Sequence, residues 1–194
     1  MNINKLVIAS NNPKKRAEIE QILNNLNIKV VPASETTFVD VVEDADSFAG
    51  NAKKKANAFM AANGCAALAD DSGLCVAALD GAPGVYSARF AGENATDAAN
   101  NTKLLHDLKA IDDRSAYFTC ALHLSMLNGQ DITAEGKVEG YIVAQETGDT
   151  GFGYDPLFFC PELNKTFAQS TAQEKASISH RGRALREFHR KLLK

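Results

Sequence analysis

The sequence has no excess of basic residues: 21 lysines and arginines stand against 24 aspartates and glutamates, for a net charge of -3. That balance excludes a protein held on nucleic acid chiefly by backbone charge. No apolar run approaches the roughly 20 residues of a membrane helix. No basic segment leads into a long apolar stretch at the start either, so a cytoplasmic protein is expected. Cys65, Cys75, Cys120 and Cys160 contain no CxxC pair, and three of them lie in or beside apolar runs. Buried free thiols follow from that pattern. The histidines at 106, 123, 180 and 189 lack zinc-ligand spacing. Internal repeats, low-complexity tracts and linkers are also missing, which leaves residues 1-194 as a single domain.

What is present centres on residues 66-76, Ala-Ala-Leu-Ala-Asp70-Asp71-Ser72-Gly73-Leu-Cys-Val. A short apolar run reads as a buried strand, Ser72-Gly73 as a turn, and Leu74 to Leu79 as the next strand. A carboxylate at the end of a buried strand is costly unless it is paired or binds metal, although capping of backbone amides in a turn is the other reading.

Lys5 to Ser10 reads as a first strand, and Ile19, Ile22, Leu23 and Leu26 recur at helical spacing. Between them lies Ser10-Asn11-Asn12-Pro13-Lys14-Lys15, with Asn12 suited to an N-cap and Pro13 to the first helical position. Such a loop is either an anion site at a helix N-terminus or a plain capped helix with solvated lysines. It has no GxxxxGK[ST] and is not a P-loop. Ile28 to Pro32 reads as a second strand.

Asp40, Glu43, Asp44 and Asp46 then crowd together before Ser47, which caps a helix running to about Asn63. The apolar stripe Phe48, Ala52, Ala56, Phe59 takes in Lys55 but not Lys53 or Lys54. Lys55 therefore either snorkels to solvent or meets an anion. Further on, Thr96 caps a helix to about Ile111, and Ala116-Met126 and Ile132-Val143 form strands joined through Asn128-Gly129. Residues 146-156 are rich in glycine with two aromatics, which suits close approach to a ligand. Leu157 to Cys160 is a final strand, and a basic helix follows in which Arg181 shares the face of Leu185, Phe188 and Leu192. A guanidinium so placed normally has a defined partner. The alternation of elements predicts an α/β fold with a mixed central sheet flanked by helices.

Six motifs occur in order: Ser10-x-Asn12-x-x-Lys15, Asn51-Ala52-x-x-Lys55-Ala56, Ala69-Asp70-Asp71-Ser72-Gly73-Leu74, Gly81-Ala82-Pro83-Gly84-x-Tyr86-Ser87-Ala88-Arg89, Gly151-Phe152-Gly153-Tyr154-Asp155-Pro156 and Lys175-x-x-x-Ser179-His180-Arg181-Gly182. On these the chain resembles the inosine triphosphate pyrophosphatase family over essentially its whole length. The resemblance implies hydrolysis of deaminated purine nucleoside triphosphates (ITP, dITP, XTP, dXTP) to the monophosphate and pyrophosphate. It also implies two lobes with an active-site cleft between them, and a homodimer.

By the same resemblance, the loop of Ser10, Asn11, Asn12, Pro13, Lys14 and Lys15 holds the triphosphate with help from Lys55. Glu43 and Asp71 bind Mg²⁺, Asp71 is also the general base for water, and Ser72 contacts the substrate. Phe152, Gly153, Tyr154, Asp155, Lys175, His180 and Arg181 enclose the base and read its C6 oxygen. The sequence departs from the family at Asn11, where many relatives have glycine, and Glu43 is chosen over Asp44 and Asp46 by its distance to Phe48. Two other classes fit less well: a house-cleaning pyrophosphatase for modified pyrimidine nucleotides, and a non-enzymatic nucleotide- or RNA-binding module. The acidic balance and the paired carboxylates oppose the second.

Overall fold

The computed structural model describes residues 5-25 and 28-194. Leu26, counted above in the apolar face of the first helix, lies outside them. The chain falls into two compact units: Met1–Asp71, Cys120–Gly136 and Arg181–Lys194 form the first, Ser72–Thr119 and Lys137–His180 the second.

Among the described residues six strands are hydrogen-bonded in sequence order: β1 (Leu6–Ile8), β2 (Ala66–Val76), β3 (Ser115–Ser125), β4 (Asp131–Ile142), β5 (Phe158–Cys160) and β6 (Lys165–Thr166). β1 runs parallel to β2, with Leu6 opposite Ala66 and Ile8 opposite Leu68. β4 to β5 and β5 to β6 are antiparallel, so the sheet is mixed as expected. The α-helices among the described residues are α1 (Pro13–Asn25), α2 (Phe48–Asn63), α3 (Asp97–Asp107), α4 (Ala172–Ile178) and α5 (His180–Leu192).

In the first unit, side-chain alternation along the strands sorts two faces. Val7, Ala9, Ala67 and Ala69 pack with Ala56 and Phe59 of α2. The alternate residues Leu6, Ile8 and Leu68 are fully buried on the other side of the strands. The second unit has its own core of Leu74, Val76, Leu104, Leu108, Phe118, Val138, Tyr154, Phe158 and Phe167. All four cysteines are buried and free.

Four sequence expectations need correcting. Ser72-Gly73 is no turn: β2 runs through it to Val76, and neither residue adopts left-handed backbone. Apolar runs on both sides give the strand enough to bury that the local turn preference loses. The segment foreseen as a strand to Leu79 ends instead in a single 3-10 turn, Ala77–Leu79. Ile28 to Pro32 makes no strand; Val31 N–H donates to Leu6 O at 2.8 Å, and Pro32 has no N–H with which to extend a ladder. Leu157 to Cys160 is not the last strand, because the short β6 pairs with β5.

The caps at Ser47 and Thr96 and the turn at Asn128-Gly129 are as the sequence reads. Ser47 Oγ accepts from Gly50 N–H, Thr96 Oγ1 accepts from Ala99 N–H, and Gly129 takes φ +78° in the β3–β4 turn. The C-terminal helical region breaks at Ser179, whose extended backbone separates α4 from α5. The break places His180 and Arg181 in the first turn of α5.

Candidate active site

Alternation along β2 sends Asp70 and Asp71 to opposite faces. Asp71 meets α2. Its Oδ1 receives Lys55 Nζ at 3.1 Å and its Oδ2 receives Asn51 Nδ2 at 3.1 Å. The same Lys55 ammonium donates to Glu43 Oε2 at 2.9 Å. Lys55 is buried whereas Lys53 and Lys54 are exposed, as its place in the apolar stripe requires. Of the two readings offered for it, the anion partner is correct: it meets two carboxylates. Lys54 pairs with Asp44 instead.

Burial pushes the Asp71 carboxyl up to about 6, against the pull of Lys55 and Lys15 and with help from the neighbouring Glu43 charge. Burial acts on Glu43 too, but Lys55 outweighs it and holds Glu43 below the usual range. The pair therefore divides its character: Glu43 is the readily ionised partner and Asp71 the more basic one.

Asp70 faces α1 and α5. Arg181 reaches its Oδ2 through Nη2 at 2.9 Å and Nε at 3.3 Å, while Lys15 Nζ stands 3.7 Å away. Burial would raise the Asp70 carboxyl, yet Lys15, Arg181 and Lys55 together hold it far below the ordinary carboxylate range. Arg181 also donates through Nη1 to Glu18. A cation in the first turn of a helix is disfavoured by the helix dipole, so these two carboxylates supply what its position lacks. The partner expected for a guanidinium on the apolar face is thus a pair of acids.

At the start of α1, Asn12 Oδ1 accepts from Lys14 N–H at 2.9 Å and Lys15 N–H at 3.2 Å. Ser10 Oγ accepts from Asn12 N–H at 3.2 Å. The cap predicted at Asn12 is formed, and those two amides are occupied by the chain's own side chain. Asn11, Pro13 and Lys14 are exposed; Asn11 Nδ2 donates to Val39 O at 3.0 Å and so ties this loop to the acidic segment.

The remaining candidates belong to the second unit. Lys175 Nζ lies 2.6 Å from Asp155 Oδ2 and 4.8 Å from the Phe152 ring centroid. Phe152 N–H donates to the same Asp155 Oδ2 at 2.9 Å, and Gly153 N–H donates to Asp97 at 2.8 Å. Gly151 and Gly153 hold φ of +77° and +62°, which is why the loop needs glycine at those two places. Tyr154 turns into the core, and its hydroxyl donates to Ser87 O at 2.9 Å. Its ring is therefore packed inside the loop rather than presented by it. His180 stacks on Phe118 with centroids 4.7 Å apart. Ser72 is half-buried on β2 beside Asp71.

Sequence reasoning passed over two residues here. Asn51 is fully buried, and the signal was its place four residues before Lys55 on the same stripe. Glu18 on α1 had no signal, because its partner Arg181 is distant in sequence.

Known proteins resemble this chain over nearly its whole length. A dITP/XTP pyrophosphatase of Desulforamulus reducens is 50% identical over 186 residues, spanning 94% of this chain and 92% of that one. The Staphylococcus aureus Ham1 protein superposes with a TM-score of 0.86 at 41% identity over 98% of both chains. A HAM1 protein from Coxiella burnetii gives the same TM-score at 44% identity, over 97% of this chain and 98% of that one. The Ham1 family profile matches residues 6–191, and the chain belongs to the Ham1 family.

Proposed function

We propose that this chain hydrolyses deaminated purine nucleoside triphosphates, dITP and XTP among them, to the nucleoside monophosphate and pyrophosphate. The observation that carries the reading is the environment of Asp71: a buried carboxyl raised to about 6, beside Glu43 and Lys55. In the metal-free protein such a carboxyl is ionised at neutral pH and is the more basic of the two acids on Lys55.

Glu43 and Asp71 suit a hard divalent cation. Both carboxylates converge on one ammonium, at 2.9 and 3.1 Å from Lys55 Nζ, so a single positive centre already satisfies both. Among the described residues no cluster of three or more His, Cys, Asp or Glu stands ready as a cage. Two carboxylates suit Mg²⁺, which keeps several waters and takes phosphate oxygens as further ligands. When bound, Mg²⁺ would offset phosphate charge and polarise the phosphoryl group.

The chain's own residues do the rest. Asp71 takes the proton of the attacking water, directed at the α-phosphorus. Ser10, Asn11, Asn12, Pro13, Lys14, Lys15 and Lys55 receive the triphosphate, and the lysines stabilise the departing pyrophosphate. Ser72 contacts the substrate. Recognition of the purine is assigned to Phe152, Gly153, Tyr154, Asp155, Lys175, His180 and Arg181. Donors set for an acceptor at C6 are left unpaired by adenine, which carries an amino group there. Tyr154 and His180 act in this scheme by holding the loop and helix start in place, since their rings are packed inward. The same reading carries a cytoplasmic homodimer.

Pyrophosphate release from dITP, XTP, dGTP and dATP, each with and without Mg²⁺, tests the proposal. Metal-dependent release from dITP and XTP far above dATP is expected, while dGTP, which shares the C6 oxygen, reports separately on discrimination at the 2-position. Equal release from all four would remove the C6 recognition, and no release would leave a nucleotide-binding module.

A further inference from the structure

Asn51 uses both ends of its amide. Nδ2 donates to Asp71 Oδ2 at 3.1 Å, and Oδ1 accepts from Ala45 N–H at 2.9 Å. Ala45 lies two residues beyond Glu43. One buried side chain therefore ties the Asp71 carboxylate to the backbone of the segment that carries Glu43. Asn51 is not the cap of α2, a role Ser47 fills. An interior helical asparagine carries a helix-propensity penalty against alanine or leucine, so packing alone does not account for it.

Gly50 adds an independent observation. A Cβ there would stand 2.8 Å from the Ala45 Cβ and 3.1 Å from Ser47 Oγ. The segment following Glu43 thus lies directly on the first turn of α2, and glycine is what allows it.

Lys55 also links the two carboxylates, but it cannot hold them in place for a cation. A divalent ion arriving between Glu43 and Asp71 would repel the ammonium at close range. The Asn51 bonds are neutral and survive that arrival. They also fix Oδ2, leaving Oδ1 as the Asp71 oxygen turned toward Lys55.

We propose that Asn51 is a positioning residue that sets Glu43 against Asp71, so that their two-carboxylate cation site is formed before nucleotide binds. This rests on the reading of Glu43 and Asp71 as cation ligands. Partners of metal-ligating carboxylates are generally worth about 10- to 100-fold in metal affinity.

The experiment is titration of nucleotide-free protein with Mn²⁺, followed by electron paramagnetic resonance of the free ion, on wild type, Asn51→Leu, Gly50→Ala, Glu43→Gln and Asp71→Asn. Each variant is first shown to be folded by circular dichroism. Asn51→Leu is expected to weaken Mn²⁺ binding about tenfold or more. Gly50→Ala, which touches no polar group of the site, is expected to weaken it less. A merely structural asparagine would lower the melting temperature and leave the affinity of the folded protein unchanged. Wild-type affinity in both Asn51→Leu and Gly50→Ala, with binding lost in Glu43→Gln and Asp71→Asn, overturns the role of Asn51 alone. Wild-type affinity in all four overturns the cation site itself. Absence of binding by wild type overturns the claim that the site is formed before nucleotide. Should Asn51→Leu fail to fold, Gly50→Ala decides.

Discussion

Asp70 and Asp71 are covalent neighbours on one strand, both buried, and their surroundings drive them in opposite directions. Asp70 faces Arg181 and Lys15 and is held far below the ordinary carboxylate range. Asp71 faces Lys55, Asn51 and Glu43 and is pushed up to about 6. Both are desolvated, so burial does not separate them. The charge balance does: two cations serve Asp70 at close range, whereas Asp71 shares one ammonium with a second carboxylate. Asp70 is spent on holding the fold around Arg181, and Asp71 is left with a proton affinity useful for chemistry.

The sharpest way to break this contrast is to neutralise each side in turn. Asp71→Asn should cut turnover of dITP by about 10³-fold, the range of a lost general base, while the protein folds normally. Near-normal turnover in a pyrophosphate assay would remove Asp71 from the mechanism. Asp70→Asn should act on stability: it takes a carboxylate partner from the fully buried Arg181 and should cost about 3 kcal/mol in urea denaturation at pH 7. A loss below about 1 kcal/mol would mean that the Arg181–Asp70 pair holds little together.

How far the sequence announced this arrangement depends on the range of the interaction. Helical periodicity told that Lys55 and Arg181 face inward, because the period of an α-helix is a local property. The partners were out of reach for the same reason: Asp70 meets Arg181 across 111 positions of sequence. Local turn preference misled at Ser72-Gly73, where ladder pairing outweighs it, and nothing local told that of the two loop aromatics Tyr154 completes a core. Asn51 was visible as part of a motif, but its two bonds depend on where the Glu43 segment lies, which no periodicity describes.

The smallest of these effects reads the Asp71 environment itself. An aspartate whose folded value is raised binds its proton more tightly in the native state, so stability falls as pH rises through the window between the unfolded and folded values. For Asp71 that window runs from 3.8 to about 6. Above it the ionised carboxylate costs on the order of 2 kcal/mol, which Asp71→Asn should recover. Asp70, being lowered, contributes the opposite sign: its stabilisation is present at neutral pH and is lost only as pH falls below the unfolded value of 3.8. The measurement is urea stability of metal-free protein in EDTA from pH 4 to 8, for wild type and Asp71→Asn. The variant should equal wild type near pH 4, gain on it as pH rises from there towards about 6, and keep the full difference above that. A variant that grows less stable than wild type over that interval would mean that Asp71 is a second structural carboxylate.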